Sequence, residues 1–381
     1  MKILFVIDKM KNYAGIERIL TCKMNYIAQQ TSHNVYFVTY EQQDYPLPFP
    51  FDSNIYYCPL DIIMPQRNEM TLFKWLKKYF AVRRRFQHQF KQLIKDINPN
   101  IVVSTVYSYQ ILDIIINTCH KEGVKTIMES HTQGETVTLS QKFRYNKFLF
   151  NFFSLWDCHI MRSLKHCNCV ITLTKQDTIF WQKFATRTEV IPNMLTITPK
   201  IVADYKVKRV ISAGRYMSEK GFDMLIEAWS MLQKDFIDWH LYIFGDGERS
   251  TYQKIVDQYN MQETIHLMPA TNDIAEEFSK SSLYVMSSRY EGFGLVLAEA
   301  MSCGLPCVAF DCPYGPREII KDGKDGLLAK YKDVGDLARK LTQLMSNIML
   351  RQSMGEQAIK NIARYNPQTI MSQWINLFES L

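Results

Sequence analysis

The feature that most constrains this chain is a series of short segments that are apolar on both faces. "KILFVID" (2–8), "NVYFVTY" (34–40), "NIVVSTV" (100–106), "VKTIMES" (124–130) and "CVITLT" (169–174) are near-continuous hydrophobic runs. Helical stretches separate them, as in "AGIERILTCKMNYIAQQ" (14–30), where Ile16, Ile19, Leu20, Met24 and Ile27 share one side. A strand that is apolar on both faces needs cover on both faces, which implies a parallel sheet layered with helices. The pattern breaks at "PNMLTITPKIVADYKVK" (192–208), a linker containing Pro and Lys, and then restarts. "RVISAG" (209–214), "WHLYIFG" (239–245), "TIHLM" (264–268), "LYVMSS" (283–288) and "LPCVAF" (305–310) predict further strands, with helices over Phe222–Leu232 and near 250–260. The expectation is an α/β chain of two doubly wound, Rossmann-like domains facing each other across a cleft. They would span 1–195 and 205–365, with 366–381 a C-terminal helix packing back toward the first.

A length of 381 residues fits two such domains, and 47% hydrophobic with 22% charged residues excludes a disordered or collagen-like chain. No apolar run is long enough to span a bilayer, and "MKILFVI" runs straight into Asp8 and Lys9, so it reads as a buried first strand rather than a signal peptide. Nine cysteines at irregular spacing, with Cys303, Cys307 and Cys312 in an apolar segment, read as reduced structural thiols of a cytoplasmic protein. A net charge of +7 favours an anionic partner.

Ligands of doubly wound sheets bind outside the carboxyl ends of the strands, so the loops there carry the functional information. After the first strand comes "DKMKNYAGIER", which lacks G-x-G-x-x-G and so speaks against a nicotinamide-dependent oxidoreductase. Gly15 in that loop is either an ordinary turn glycine or one that lets a ligand approach a helix N-terminus. His131 follows the strand in "MESHTQG" and is either a structural or a catalytic histidine. "SAGRYMSEKG" supplies Gly214, Arg215, Lys220 and Gly221. The loop is either a solvated basic turn or a diphosphate cradle, with a planar fork from Arg and a mobile point charge from Lys.

"SRYEGFGLVLAEAMSCGLP" (288–306) poses the sharpest question. Glu291 precedes a Gly292-Phe293-Gly294 turn, and Glu299 lies eight residues on, among Leu295, Val296, Leu297, Ala298, Ala300 and Met301. A lone buried carboxylate costs several kcal/mol, roughly, unless something satisfies it. The turn would cap a helix whose first N–H groups can receive phosphate or hydroxyl oxygens. An acceptor-only carboxylate suits vicinal hydroxyls, so a sugar diol rather than a protein cation is expected to complete Glu299.

Glu291-x7-Glu299, "AGR…EKG" upstream and "GLPCVAFDCPYGPREII…DGLL" downstream together resemble the GT-B family of retaining glycosyltransferases often called family 4. The resemblance covers nearly the whole chain and is most specific in its C-terminal half. "AGIER" is similar to the family's "GGxER" loop, with Ala14 in place of the first glycine; "ESHTQ" is similar to its histidine loop, and "VIPNM", with Asn193, to "IPNG". The resemblance implies that Arg215 and Lys220 hold the donor diphosphate and that Glu299 binds the ribose hydroxyls. It assigns Glu291, with the N–H groups of Gly292, Phe293, Gly294 and Leu295, to the transferred sugar and distal phosphate. It puts Pro269-Ala270-Thr271 against the base, and Gly15, Asn193, Gly214 and His131 beside the donor. It implies front-face substitution with no assigned protein nucleophile. The chain has no D-x-D motif, so no metal or other cofactor is expected: fixed cations and a helix N-terminus would neutralise the leaving group.

Residues 73–97 hold Lys74, Lys77, Lys78, Arg83, Arg84, Arg85, Lys91 and Lys95 with no acid before Asp96, and Phe73, Leu76, Phe80, Phe86, Phe90, Leu93 and Ile97 recur at helical spacing. This predicts one basic amphipathic helix, or two joined by a bend. A second cluster comprises Lys142, Phe143, Arg144, Lys147, Phe148, Phe150, Phe152, Phe153 and Trp156. Either these are packed helices with solvated basic sides, or they attach the chain to an anionic membrane. No nucleic-acid module accompanies the charge. The expected activity is transfer of a sugar from a nucleotide diphosphate sugar, with UDP favoured and GDP as the other option. The acceptor would be a hydroxyl of a glycan or lipid-linked glycan, at the inner face of the plasma membrane in surface polysaccharide biosynthesis. A non-catalytic sugar-binding partner of another transferase is the alternative.

Overall fold

The computed structural model describes residues 1–12, 14–65, 70–138, 140, 147–199 and 202–381, with the backbone alone at 106–108, 148, 149 and 152. Contacts divide it into two units, Met1–Pro192 with Met371–Leu381, and Asn193–Ile370.

The first unit is built on a seven-stranded sheet among the described residues. Its strands are β1 (Lys2–Ile7), β2 (Asn34–Thr39), β3 (Ile55–Tyr57), β4 (Ile101–Thr105), β5 (Lys125–Ser130), β6 (Cys169–Thr172) and β7 (Thr188–Val190), in the order β3-β2-β1-β4-β5-β6-β7. Every pairing is parallel. β1 and β4, in the middle, are buried almost throughout, and residues such as Val6 and Val102 are fully enclosed. The second unit holds β8 (Arg209–Ala213), β9 (His240–Gly245), β10 (Ile265–Pro269), β11 (Leu283–Met286), β12 (Cys307–Phe310) and β13 (Gly326–Ala329), in the order β10-β9-β8-β11-β12-β13, again all parallel. Strand order reverses between β1 and β4 in one sheet and between β8 and β11 in the other. At such a reversal the loops leaving the two strands diverge and open a crevice at their carboxyl ends.

The basic segment is one helix, Leu72–Ile97, whose buried side is Trp75, Tyr79, Arg83, Phe86, Phe90, Ile94 and Ile97. Arg83 corrects the sequence reading, which counted it with the surface cations. Its guanidinium donates to Asp113 Oδ2 at 2.6 Å and to the Gln110 carbonyl, and it lies 5.1 Å from the Trp156 ring centre. Lys74, Lys77, Lys78, Arg84, Arg85, Lys91 and Lys95 are exposed, as are Phe73 and Phe80. In the second cluster, Lys142, Phe143 and Arg144 lie outside the described residues, as do the side chains of Phe148 and Phe152. Phe153 is buried against Trp75. Among the described residues no helix is long and apolar enough to cross a membrane.

Candidate active site

The β8/β11 reversal is where the second unit gathers its sequence-predicted residues. The loop after β8 carries Gly214, Arg215, Lys220 and Gly221; the loop after β11 carries Glu291 and the Gly292-Phe293-Gly294 turn. The two loops are fastened to each other. Lys220 Nζ donates to Glu291 Oε1 at 2.7 Å, and Ser288 Oγ donates to the same oxygen at 2.5 Å. The Arg289 amide donates to the Glu219 carbonyl at 2.7 Å, and Ser287 Oγ donates to the Lys220 carbonyl at 2.9 Å. Gly221 makes this approach possible. Its φ is +63°, and a Cβ there would lie 2.1 Å from the Ser287 carbonyl oxygen. Lys220 and Glu291 keep 21% and 10% of their side-chain surface, so the pair is held yet reachable from solvent.

Gly294 caps the helix Leu295–Ser302 with φ at +94°, a left-handed conformation that favours glycine. The first-turn N–H groups, starting at Leu295, have no intrahelical partner by geometry and carry the positive end of the helix dipole. Glu299, in the next turn, is 2% exposed. Thr196 Oγ1 donates to its Oε1 at 2.5 Å, so the protein itself supplies a partner where the sequence reading expected only a diol. Arg215 is more than half exposed and meets Glu219 at 3.7 Å. Asn193 is buried where the second unit begins, and Pro269-Ala270-Thr271 ends the edge strand β10, two strands from the reversal.

Gly15 and His131 belong to the first unit. Gly15 opens the helix Gly15–Gln30 directly after the β1 loop. His131 follows β5, with no exposed side-chain surface, and its Nε2 lies 3.3 Å from Glu129 Oε2. The other carboxylate oxygen of Glu129 accepts from Lys23 Nζ, and both residues are enclosed at 1% and 3% exposure. Burial alone would raise Glu129, but the charges of His131 and Lys23, with the Lys23 hydrogen bond, outweigh it and hold the carboxyl at about 2. Burial pushes Lys23 below the usual lysine range, against the pull of Glu129. Lys23 Nζ also sits 3.8 Å over the ring centre of Trp374. The sequence reading passed over Lys23, Glu129, Ser288 and Thr196. For Lys23 a signal existed: it lies four residues after Ile19, three after Leu20 and four before Ile27, on the helix's apolar side. Asp8, at the carboxyl end of β1, was also missed. Burial pushes its carboxyl up to about 6, against the Lys9 amide and charge.

Residues 195–361 match the family model described as glycosyl transferases group 1. AmsD, the amylovoran biosynthesis glycosyltransferase of Erwinia amylovora, is 24% identical over 98% of this chain and 98% of its own length. An uncharacterised glycosyltransferase of Haemophilus influenzae is 32% identical over 55% of this chain, a stretch that spans 60% of that relative. Among solved structures, a mutant of S. aureus TarM in complex with fondaparinux, alpha-GlcNAc-glycerol and UDP superposes with a TM-score of 0.77, at 18% identity, over 99% of each chain. The fold is GT-B. Along nearly its whole length the chain is similar to glycosyltransferases, and the group 1 match takes in the loops that carry Lys220 and Glu291 and the helix that carries Glu299.

Proposed function

We propose that this chain is a retaining, metal-independent glycosyltransferase of the family 4 type that takes its sugar from a nucleotide diphosphate sugar, UDP-linked for preference. The observation that carries the reading is the Lys220–Glu291 pair at the β8/β11 reversal, beside the Gly294 helix N-terminus. A diphosphate brings two or more negative charges. Lys220 and Arg215 meet them from one loop, and the first-turn N–H groups of the helix meet them from the other. Glu291 then turns from Lys220 to the hydroxyls of the transferred sugar. Glu299 accepts from the ribose diol, and the Thr196 hydroxyl keeps its carboxylate in line. Pro269-Ala270-Thr271 offers backbone to the base.

Transfer breaks the bond between the sugar's anomeric carbon and the leaving phosphate oxygen, and forms one from that carbon to the acceptor oxygen on the same face. The acceptor's proton passes to the leaving phosphate oxygen. Charge builds on the diphosphate as the bond breaks, and preorganised cations there lower the barrier most. Neither a protein nucleophile nor a metal is needed. The relatives support a glycan acceptor: AmsD is an amylovoran biosynthesis glycosyltransferase, and TarM was solved with UDP and alpha-GlcNAc-glycerol.

The acceptor is presented at an anionic membrane surface. Phe73 (81% exposed), Phe80 and Leu155 (74%) stand out from the helices Leu72–Ile97 and Lys147–Ser163 beside Lys74, Lys77, Lys78 and Arg84. Phe80 packs edge-on against Trp156, so the two helices share this face. Aromatic groups beside cations suit an anionic interface better than nucleic acid, for which no reading element is present among the described residues.

A thermal-shift screen of UDP-, GDP- and ADP-sugars tests the donor. The right ligand at ~100 times its dissociation constant adds ~2.7 kcal/mol of stability. NMR of the transferred sugar tests retention. No stabilisation by any nucleotide sugar overturns the transferase reading in favour of a non-catalytic partner, and an inverted anomer overturns the retaining mechanism.

A further inference from the structure

Arg289 stands two residues before Glu291 in the loop after β11. Its guanidinium turns to the loop after β8. Nη1 donates to the Ser218 carbonyl at 2.6 Å and to Asp223 Oδ1 at 2.8 Å, and Nη2 donates to Asp223 Oδ2 at 2.5 Å. The Arg289 amide donates to the Glu219 carbonyl at 2.7 Å, and its own carbonyl accepts from the Tyr331 hydroxyl at 2.8 Å. Ser218 and Asp223 lie on either side of Lys220. Residues Ser218–Lys220 form a single tight turn, Gly221 takes φ +63°, and the helix Phe222–Ser230 begins with Asp223 in its first turn. One planar group therefore grips the chain both before and after Lys220. A two-on-two pairing with a carboxylate is one that a lysine cannot reproduce. Burial alone would raise Asp223, but the hydrogen bonds and charge of Arg289 outweigh it and hold the carboxyl below its usual range.

We infer that Arg289 is a positioning residue: by gripping Ser218 and Asp223 it sets the backbone from which Lys220 meets the diphosphate, before any ligand arrives. Without the grip, the Lys220 ammonium can still pair with Glu291, but the turn that carries it must be ordered at the moment of binding, and that ordering is subtracted from affinity. The guanidinium is not itself a ligand group, because Asp223 occupies its fork. The consequence for the diphosphate rests on the reading of this loop under the proposed function; the clamp itself does not.

The experiment begins with Arg289→Gln, which removes the fork. The Asp223 side chain is 37% exposed, so water replaces the lost partner and the variant folds, as its thermal midpoint checks. Hydrogen exchange is followed over residues 214–222, and calorimetry compares UDP with uridine, which has the same base and ribose and no phosphate. In the wild-type protein the Lys220 and Gly221 amides, which donate to the Met217 and Ser218 carbonyls, exchange slowly. In Arg289→Gln they exchange faster. UDP then binds roughly threefold to tenfold more weakly, as expected for ordering one long side chain, while uridine binds as before. Turnover of the UDP-sugar found by the thermal screen falls roughly tenfold to a hundredfold. Arg289→Lys recovers only part of the loss. Asp223→Asn weakens UDP in the same way, and the double variant loses no more than either single one. Wild-type exchange in a folded Arg289→Gln variant overturns the clamp. Equal losses for UDP and uridine overturn the positioning in favour of a general structural role. Tighter UDP in Asp223→Asn overturns it in favour of a guanidinium that touches the phosphate. Faster exchange with UDP affinity and turnover unchanged upholds the clamp and overturns its link to the diphosphate. No binding of UDP to the wild-type protein overturns the proposed donor and leaves hydrogen exchange to decide the clamp on its own.

Discussion

Each unit has a lysine–glutamate pair near the carboxyl end of its sheet, and the two pairs differ in one respect that decides their chemistry. Lys23 and Glu129 are sealed, with 3% and 1% of their side chains exposed. Lys220 and Glu291 keep 21% and 10%, and they stand between two loops that diverge from a strand reversal. A sealed pair cannot exchange its partner for a ligand. An open pair can. Its members hold each other in place and ionised until a ligand with better-matched charge arrives. The same two residue types therefore act once as a brace and once as a receptor, and burial makes the difference.

The comparison is most easily broken by single substitutions. Lys23→Met leaves Glu129 buried with one partner fewer, and about 3–5 kcal/mol of stability is lost; a denaturant midpoint unchanged from wild type would show that the pair is not a brace. Because Glu129 is held at about 2, lower than an unfolded carboxylate, its side of the pair contributes fully at neutral pH, while burial of the Lys23 ammonium works against the pair. Its contribution fades only as pH falls through the ordinary carboxylate range toward 2. Lys220→Ala gives the opposite profile: turnover falls roughly a hundredfold or more, and the denaturant midpoint hardly moves. Arg215→Ala follows it in direction. Near-normal turnover in both variants, with a confirmed donor, removes the diphosphate from this loop.

Smaller effects sharpen the division within the open site. Glu299→Gln weakens UDP by roughly 1–3 kcal/mol in calorimetry, whereas Glu291→Gln acts on sugar transfer and leaves free UDP nearly as tight. Equal losses in the two variants would merge roles that are separate here. On the first unit, Arg84→Gln with Arg85→Gln removes about 2 kcal/mol of attraction to anionic vesicles, an effect that high salt reproduces. Arg83→Gln is the control, because that residue faces Asp113; it lowers stability and leaves the vesicle charge term alone. Least of all, EDTA leaves turnover unchanged, and activity lost in chelator and restored by Mg²⁺ or Mn²⁺ would place a metal on the diphosphate.

The long central strands were legible because burial on both faces writes itself into composition: "KILFVI" and "IVVST" allow little else. The edges were not. β3 is "IYY", β7 is "TEV" and β13 is "GLLA", three or four residues each, and β3 and β7 are partly exposed. Such strands form because a neighbour offers hydrogen bonds, and their own sequence carries little of that information. In the second unit's site, the loops after β8 and β11 were readable because glycines, cations and acids crowd together there. Arg83 and Lys23 were misread or missed for one reason. Charge was taken to mean surface, although both lie at helical spacing among buried side chains, with Tyr79 and Phe86 around one and Leu20 and Ile27 around the other. Glu299 was singled out by its apolar setting and is buried, but its partner Thr196 stands 103 positions away, and no local pattern links them.

The first unit consists of residues up to Pro192 and then of Met371–Leu381. On the ribosome, the second set emerges some 180 residues after the first, a delay of roughly 10–40 s at 5–20 residues per second. Throughout that interval Lys23 has no indole beneath it, and the first unit waits, incomplete, while the whole second unit is made. A stop anywhere before Trp374 but after the last strand would release a chain with every described strand of both sheets but without the ring that holds Lys23. The order of synthesis thus makes the helix Pro367–Glu379 the closing step for the buried Lys23–Glu129 pair.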